Sequence, residues 1–311
     1  MDETQLKEFQ ECLKQSKKII ALVGAGLSVS SGLPIIHGTQ ELYKNYNSID
    51  LSTPDSFYID PSLVWQYYSY KRHQALQAKP NKGHVALSKL SRLDDVEYIT
   101  ITQNNDGLHG QSGHDDDKLF EIHGSLFDLK CTSFMCNFVD HNNFTHPLTK
   151  ALEGSENEYV QGTRKRKNEE RETAAAAAAA AAAVSLSPQF TPVKSIPEKD
   201  LPLCPICKEL LRPGVVWFGE PLSLNLISQI DNFIEGKDPA IDLILVIGTS
   251  GTVYPANSFI ERVKLKGGKI AIFNIDIDED IVSGKQPGVW GFKGDAAELL
   301  PIALKPLIGD I

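Results

Sequence analysis

Residues 19–34, Ile-Ile-Ala-Leu-Val-Gly-Ala-Gly-Leu-Ser-Val-Ser-Ser-Gly-Leu-Pro, constrain the chain more than any other stretch. Five consecutive apolar residues, Ile19 to Val23, predict a strand buried on both faces, which belongs in a parallel sheet covered by helices. A glycine-rich turn follows at once. Gly24 and Gly26 carry no Cβ, so the backbone turns tightly and a ligand approaches closely. Ser28, Ser30 and Ser31 are of a residue type that caps helices, and a helix N-terminus offers free N–H groups to a phosphate. Strand, glycine turn and helix start is the layout by which a Rossmann unit holds a dinucleotide. The spacing G-x-G-x5-G differs from the G-x-G-x-x-G fingerprint, and a turn needing glycine for geometry alone accounts for the same residues.

The rest of the chain continues the pattern. Strands are predicted over 97–102, 119–126, 211–216, 241–247 and 269–274, each followed by a turn, with helices over 4–18, from Thr53, from Pro61, over 82–90, over 255–266 and from Asp295. Alternating strands and helices predict an α/β fold, a Rossmann-like parallel sheet with helices on both faces. A length of 311 residues holds one large domain or two. The net charge of −9 argues against a general nucleic-acid or acidic-membrane binder. No apolar run approaches the roughly 20 residues that cross a bilayer. The acidic start, Met1-Asp2-Glu3-Thr4, resembles neither a signal peptide nor a transit peptide, so a reducing, intracellular setting is expected.

Chemistry-bearing residues fall at the ends of these strands. Gln103, Asn104, Asn105 and Asp106 follow the 97–102 strand, and polar side chains at the carboxyl end of a parallel strand are where open α/β sheets bind ligands. His123 ends the next strand, placed for general-base work if it is not simply structural. Cys131, Cys136, Cys204 and Cys207 form two close pairs, a ligand set for one tetrahedral zinc with no open position. Cys12, alone on the first helix, fills core. The aromatic cluster Trp65, Tyr67, Tyr68 and Tyr70 beside Lys71 and Arg72 reads either as a pocket for an acidic ligand or as a helix with aromatics inward and cations in solvent. Between the cysteine pairs, about 154–188, lies a low-complexity insertion with a basic run (Arg164 to Lys167), an acidic run and ten alanines, Ala174 to Ala183. It reads as a surface excursion; the basic run is a solvated charge run or a nuclear-import patch.

In order, these motifs resemble the sirtuin family: Gly24-Ala25-Gly26-x-Ser28-x-x-Ser31-Gly32-x-Pro34, Thr102-Gln103-Asn104-x-Asp106-x-Leu108-His109, His123-Gly124-Ser125, two cysteine pairs, Trp217-Phe218-Gly219-Glu220, Gly248-Thr249-Ser250 and Phe273-Asn274. The resemblance implies an NAD-dependent protein-lysine deacylase that transfers an acyl group to ADP-ribose and releases nicotinamide. It implies a Rossmann-like domain from 1–38, 83–126 and 209–311, and a small domain from helical residues 39–82 and a zinc module, 127–208. NAD would be bound by Gly24, Ala25, Gly26, Ser28, Gln103, Asn104, Asp106, Gly248, Thr249, Ser250, Asn274 and Ala296. His123, Asn104 and Asp106 would be catalytic, His123 as the base. Val216, Phe218, Gly219, Glu220 and Val253 would hold an acyl-lysine peptide as an added strand. The zinc would be structural.

Asp50-Leu51-Ser52-Thr53-Pro54 and the 65–72 stretch resemble the class III branch, which removes malonyl, succinyl and glutaryl groups through a Tyr-x-x-Arg pair. Tyr68 matches the tyrosine, but the arginine position is Lys71, which keeps the charge and loses the bidentate fork. Arg72 points about 100° away on the helix. Two further departures are Ile36-His37, where the family has Phe-Arg, and Asn105, where it has an apolar residue; both fall at the nicotinamide pocket. Two other functions fit the same motifs: a protein ADP-ribosyltransferase, and a module binding acyl-lysine or ADP-ribose without turnover. Class III relatives suggest mitochondria, with cytoplasm or nucleus as alternatives.

Overall fold

The computed structural model describes residues 2–34, 42–156, 193–236, 240–251 and 255–311. In chain order it begins with α1 (Glu3–Gln15), β1 (Lys18–Val23), a 3-10 helix (Ala25–Ser31), a hairpin of β2 (Leu42–Tyr43) and β3 (Tyr46–Asn47), α2 (Pro54–Ile59), α3 (Pro61–Gln77) and α4 (Lys82–Ser91). Next come β4 (Glu97–Thr102), α5 (Leu108–Gln111), β5 (Leu119–Glu121), β6 (Gly124–Cys131), β7 (Val139–Asp140) and β8 (Leu211–Val215). The chain ends with α6 (Leu224–Glu235), β9 (Leu243–Ile247), α7 (Ala256–Leu265), β10 (Lys269–Asn274), α8 (Glu279–Val282), β11 (Val289–Lys293) and α9 (Ala296–Ile308).

Six strands form one parallel sheet in the order β11-β10-β9-β1-β4-β5. Side chains of β1 alternate between its faces. Ile19, Ala21 and Val23 pack with α1, α4 and α9, while Ile20 and Leu22 pack with α6 and α7. β9 splits in the same way, with Leu243, Leu245 and Ile247 on the first face and Ile244 and Val246 on the second. A run with no polar residue is therefore what a strand between two helical layers requires. On the first face Phe9 sits edge-on to Phe273, Trp290 and Phe292, with ring centroids 5.3–6.0 Å apart. Cys12 is buried in the same layer.

The stretch 119–126 is not one strand. β5 ends the large sheet, and β6 begins a three-stranded antiparallel sheet, β7-β6-β8. The chain changes sheets across His123-Gly124. Gly124 has φ +72°, and a Cβ there would meet the Gly214 carbonyl oxygen, so only glycine fits this crossing. The 211–216 strand likewise belongs to the small sheet.

Helix α3 packs on that small sheet. Its aromatics point inward as one sequence reading expects, and Tyr43, Trp65, Tyr67, Tyr68 and Tyr70 share a core with Trp217. The cations do not both stay in solvent, which corrects that reading. Arg72 is fully buried. Its guanidinium donates to the carbonyls of Asn143 (2.6 Å) and Thr145 (3.0 Å) and to that of Leu126, and it lies over the Phe127 ring. Burial lowers its pKa to about 10, so it stays charged at neutral pH and pins the loop after β7. The residues of the insertion beyond Glu156 lie outside the described residues. Among the described residues no helix is long and apolar enough to cross a membrane.

Candidate active site

Strand order reverses at β1: β4 and β5 continue to one side, whereas β9, β10 and β11 lie on the other. Ligands of open α/β sheets bind at the carboxyl ends of the strands at such a switch point. The turns after β1 and β9 meet there. The Gly26 N–H donates to the Gly248 carbonyl at 2.8 Å, and the Gly24 N–H to Ile247 at 2.9 Å. A Cβ on Gly26 would lie 2.6 Å from the Gly248 Cα, and one on Gly24 2.7 Å from the Thr249 Cβ. The glycines are thus required for one turn to pack on the other. Replacing Gly26 with alanine forces backbone apart; about 1–3 kcal/mol of stability is expected to go. Calorimetry should show a lower Tm and titration a weaker nucleotide affinity; an unchanged Tm would contradict this packing.

Ser28 does not cap a helix. It lies inside the 3-10 helix, whose N-cap is Gly24 with no side-chain bond. Its hydroxyl donates instead to Asp106 Oδ2 at 2.6 Å. Asn104 Nδ2 donates to the Gly24 carbonyl (3.1 Å) and to Ser28 Oγ (3.2 Å). Asp106 Oδ1 accepts the Leu108 N–H at 3.0 Å. Burial raises the Asp106 pKa, opposed by the Ser28 hydroxyl, the Leu108 N–H and the positive charge of Lys71. Thr249 Oγ1 donates to Gln103 Oε1 at 2.8 Å, and Asn274 Nδ2 donates to the Thr249 carbonyl at 3.2 Å. Ala25 opens the 3-10 helix, Ser250 lies at the end of the β9 turn, and Ala296 is the buried first residue of α9. Hydroxyls, amides and one carboxylate from four strand ends therefore gather at the carboxyl end of the sheet, a donor and acceptor set suited to the ribose hydroxyls and phosphates of a dinucleotide.

His123, half-buried at the crossing between the sheets, has Nδ1 2.9 Å from the Gln103 carbonyl oxygen. A carbonyl only accepts, so Nδ1 carries the proton and Nε2 keeps its lone pair. Burial lowers the His123 pKa, opposed by the Gln103 carbonyl, and the neutral form is the one poised to take a proton. The edge leading from β8 is tied to this histidine: the Val216 N–H donates to the His123 carbonyl at 2.8 Å, and the Phe218 N–H to Ser52 at 2.9 Å. Phe218 is exposed and Gly219 has φ +86°. The Glu220 side chain is engaged within the protein. It is gripped by both terminal nitrogens of Arg212 and accepts the Trp217 N–H at 2.8 Å. Burial would raise its pKa, but Arg212 and that N–H hold it below the usual range.

Tyr68 is buried, with its hydroxyl 2.8 Å from the Trp217 indole nitrogen and 3.3 Å from Ser52 Oγ. Lys71 follows one turn later on α3, half-buried, and its charge is felt at Asp106. Val253, Ile36 and His37 lie outside the described residues. Asn105 is half-buried, its carbonyl accepting the Leu126 N–H at 2.9 Å. Sequence reasoning missed Asn81, whose Nδ2 donates to the Leu27 carbonyl (2.7 Å) and to Ser31 Oγ (3.0 Å), bracing the glycine turn from outside. An asparagine directly before a helix was the available signal.

The Sγ atoms of Cys131, Cys136, Cys204 and Cys207 all lie within 4.8 Å of one another, with 131–207 at 3.4 Å and 136–204 at 3.7 Å. Zinc–thiolate bonds of about 2.3 Å in a tetrahedron place sulfurs about 3.8 Å apart. All four cysteines are free of disulfides, so the set fits one structural zinc.

A six-stranded parallel sheet with polar side chains gathered at its switch point, together with a tetrathiolate cluster, defines the class of protein. The Sir2 family model matches residues 24–255, and the chain belongs to the Sir2 family. It is 69% identical over 309 residues to an NAD-dependent protein deacylase of Candida albicans, covering 99% of each chain. It is 34% identical to the mitochondrial NAD-dependent protein deacylase sirtuin-5B of Xenopus laevis, covering 96% of this chain and 85% of that one. Among solved structures it is similar to a Sir2 homologue in complex with NAD, with 31% identity, a TM-score of 0.69 and coverage of 98% and 93%.

Proposed function

We propose that this protein is an NAD-dependent protein-lysine deacylase with a preference for acidic short-chain acyl groups. The observation that carries the reading is His123: its tautomer is set by the Gln103 carbonyl, Nε2 keeps its lone pair, and just after Gln103 come Asn104 and Asp106, both bonded to Ser28. When bound there, NAD supplies a ribose carbon made electrophilic as nicotinamide leaves. The protein's own part is to hold and to move protons. Gly24 to Ser28, Gln103, Thr249 and Asn274 would hold the dinucleotide. Asn104 and Asp106 would orient ribose hydroxyls, and His123 Nε2 would take the proton of a hydroxyl that then attacks the acyl group. The Val216–Gly219 edge would take an acyl-lysine peptide by backbone pairing. The mitochondrial Xenopus relative supports a mitochondrial setting for this protein, which cell fractionation tests.

The acyl preference rests on Ser52, Tyr68 and Lys71. A lysine attracts a carboxylate as a point charge, without the planar fork of arginine. Turnover of acetyl-, malonyl- and succinyl-lysine peptides should therefore favour the acidic acyls, and Lys71→Arg should lower KM for succinyl peptide about tenfold, as one added charge-assisted hydrogen bond allows. Turnover on acetyl peptide alone would contradict this acyl class.

A further inference from the structure

The hydroxyl of Tyr68 is held by a chain of contacts that begins at Arg212 on β8. Arg212 lies flat on the Trp217 ring, its Cζ 3.6 Å from the centroid, and grips Glu220. Glu220 returns to the Trp217 backbone N–H at 2.8 Å, so the tryptophan is fixed by its ring and by its main chain. Phe57 packs on the same ring with centroids 5.3 Å apart. Trp217 is 2% exposed, and its indole Nε1 lies 2.8 Å from the Tyr68 oxygen. An indole N–H only donates, so Tyr68 is the acceptor there and keeps its single proton for another partner. That proton faces Ser52 Oγ across 3.3 Å, a long bond for two hydroxyls. Ser52 Oγ donates in turn to the Ser48 carbonyl at 2.8 Å, which leaves a lone pair for the weak contact and makes the tyrosine proton easy to redirect.

Resting on the acyl reading above, we propose that Trp217 is a positioning residue for acyl choice: by filling an acceptor site of Tyr68, it turns the tyrosine proton toward the acyl carboxylate, and Arg212 with Glu220 holds Trp217 in place to do so. Tyr68 then meets an acidic acyl group as a donor already aimed, exchanging a long bond to Ser52 for a short one to a charged oxygen. Neutral acyl groups make no use of that proton, so the clasp discriminates between acyl classes.

Trp217→Phe keeps an aromatic ring facing Arg212 and Phe57 while removing the donor and part of the buried ring volume, and the volume loss bears on both peptides alike. It should lower kcat/KM on succinyl-lysine peptide at least fivefold more than on acetyl-lysine peptide, through KM rather than kcat. With Tyr68→Phe already in place, Trp217→Phe should add less than twofold on the succinyl peptide. In 15N-labelled protein the three tryptophans, Trp65, Trp217 and Trp290, give three indole signals, and Tyr68→Phe should shift only that of Trp217. Equal losses on both peptides, full additivity of the two substitutions, or an unmoved indole signal would each overturn the positioning role. Wild-type turnover confined to acetyl peptide would instead overturn the acyl reading beneath it, and with it the proposed use of the clasp, while a shifted indole signal would leave the Trp217–Tyr68 contact standing.

Discussion

Replacing His123 with alanine is expected to lower turnover by about 10²- to 10⁴-fold, the span of a lost general base. With Nδ1–H committed to the Gln103 carbonyl, Nε2 is the atom that takes a proton, and alanine leaves nothing in its place. The base works in its neutral form, so kcat/KM should rise with pH through the His123 pKa and stay level above it. Because burial lowers that pKa, the midpoint of the acid limb should fall below about 6.5, the value of an unperturbed histidine. An alanine variant within threefold of wild type, or an acid limb centred above pH 7, would contradict the assignment.

The second large effect is on zinc. Two strands of the small three-stranded sheet link the cysteine cluster to the candidate active site. β6 begins beside His123 and ends at Cys131, while β8 follows Cys207 and ends at Val215, next to the proposed peptide edge. Structural zinc contributes about 10–16 kcal/mol in small zinc modules, as much as the whole stability of an ordinary domain. Cys204→Ser is therefore expected to lower Tm by more than about 10 °C, at a few degrees per kcal/mol, and to remove activity with it. Metal analysis should find one zinc per wild-type chain and almost none in the variant. An unchanged Tm in Cys204→Ser would show that the thiolates do not anchor the module.

What was legible in the sequence follows from how strongly each residue type restricts its surroundings. β1 and β9 were legible because unbroken apolar runs fit only between two helical layers, and both lie at the centre of the sheet. The cysteine pairs were legible because four thiols in two close pairs have few other uses. β11 was missed: it is five residues long, with Gly291 in the middle where a Cβ would crowd Ile281 and Val282. The burial of Arg72 was hidden because its partners are backbone carbonyls, which leave no mark in a sequence. Ser28 reads as a cap from its neighbours, yet its partner Asp106 is 78 positions away. The Trp217–Tyr68 bond joins residues 149 positions apart, and no local pattern reports it. Family resemblance proposes which residues line the strand ends, but the Arg212–Glu220 pair, eight positions apart, has no place in its motifs.

The most direct test is a product balance with purified protein, NAD and a succinyl-lysine peptide. The account predicts nicotinamide, free-lysine peptide and O-acyl-ADP-ribose in equal amounts, with no nicotinamide when the peptide is left out. ADP-ribose retained on protein would point to a transferase, and peptide binding without nicotinamide release to a binding module; either result would contradict deacylation as the function of this site.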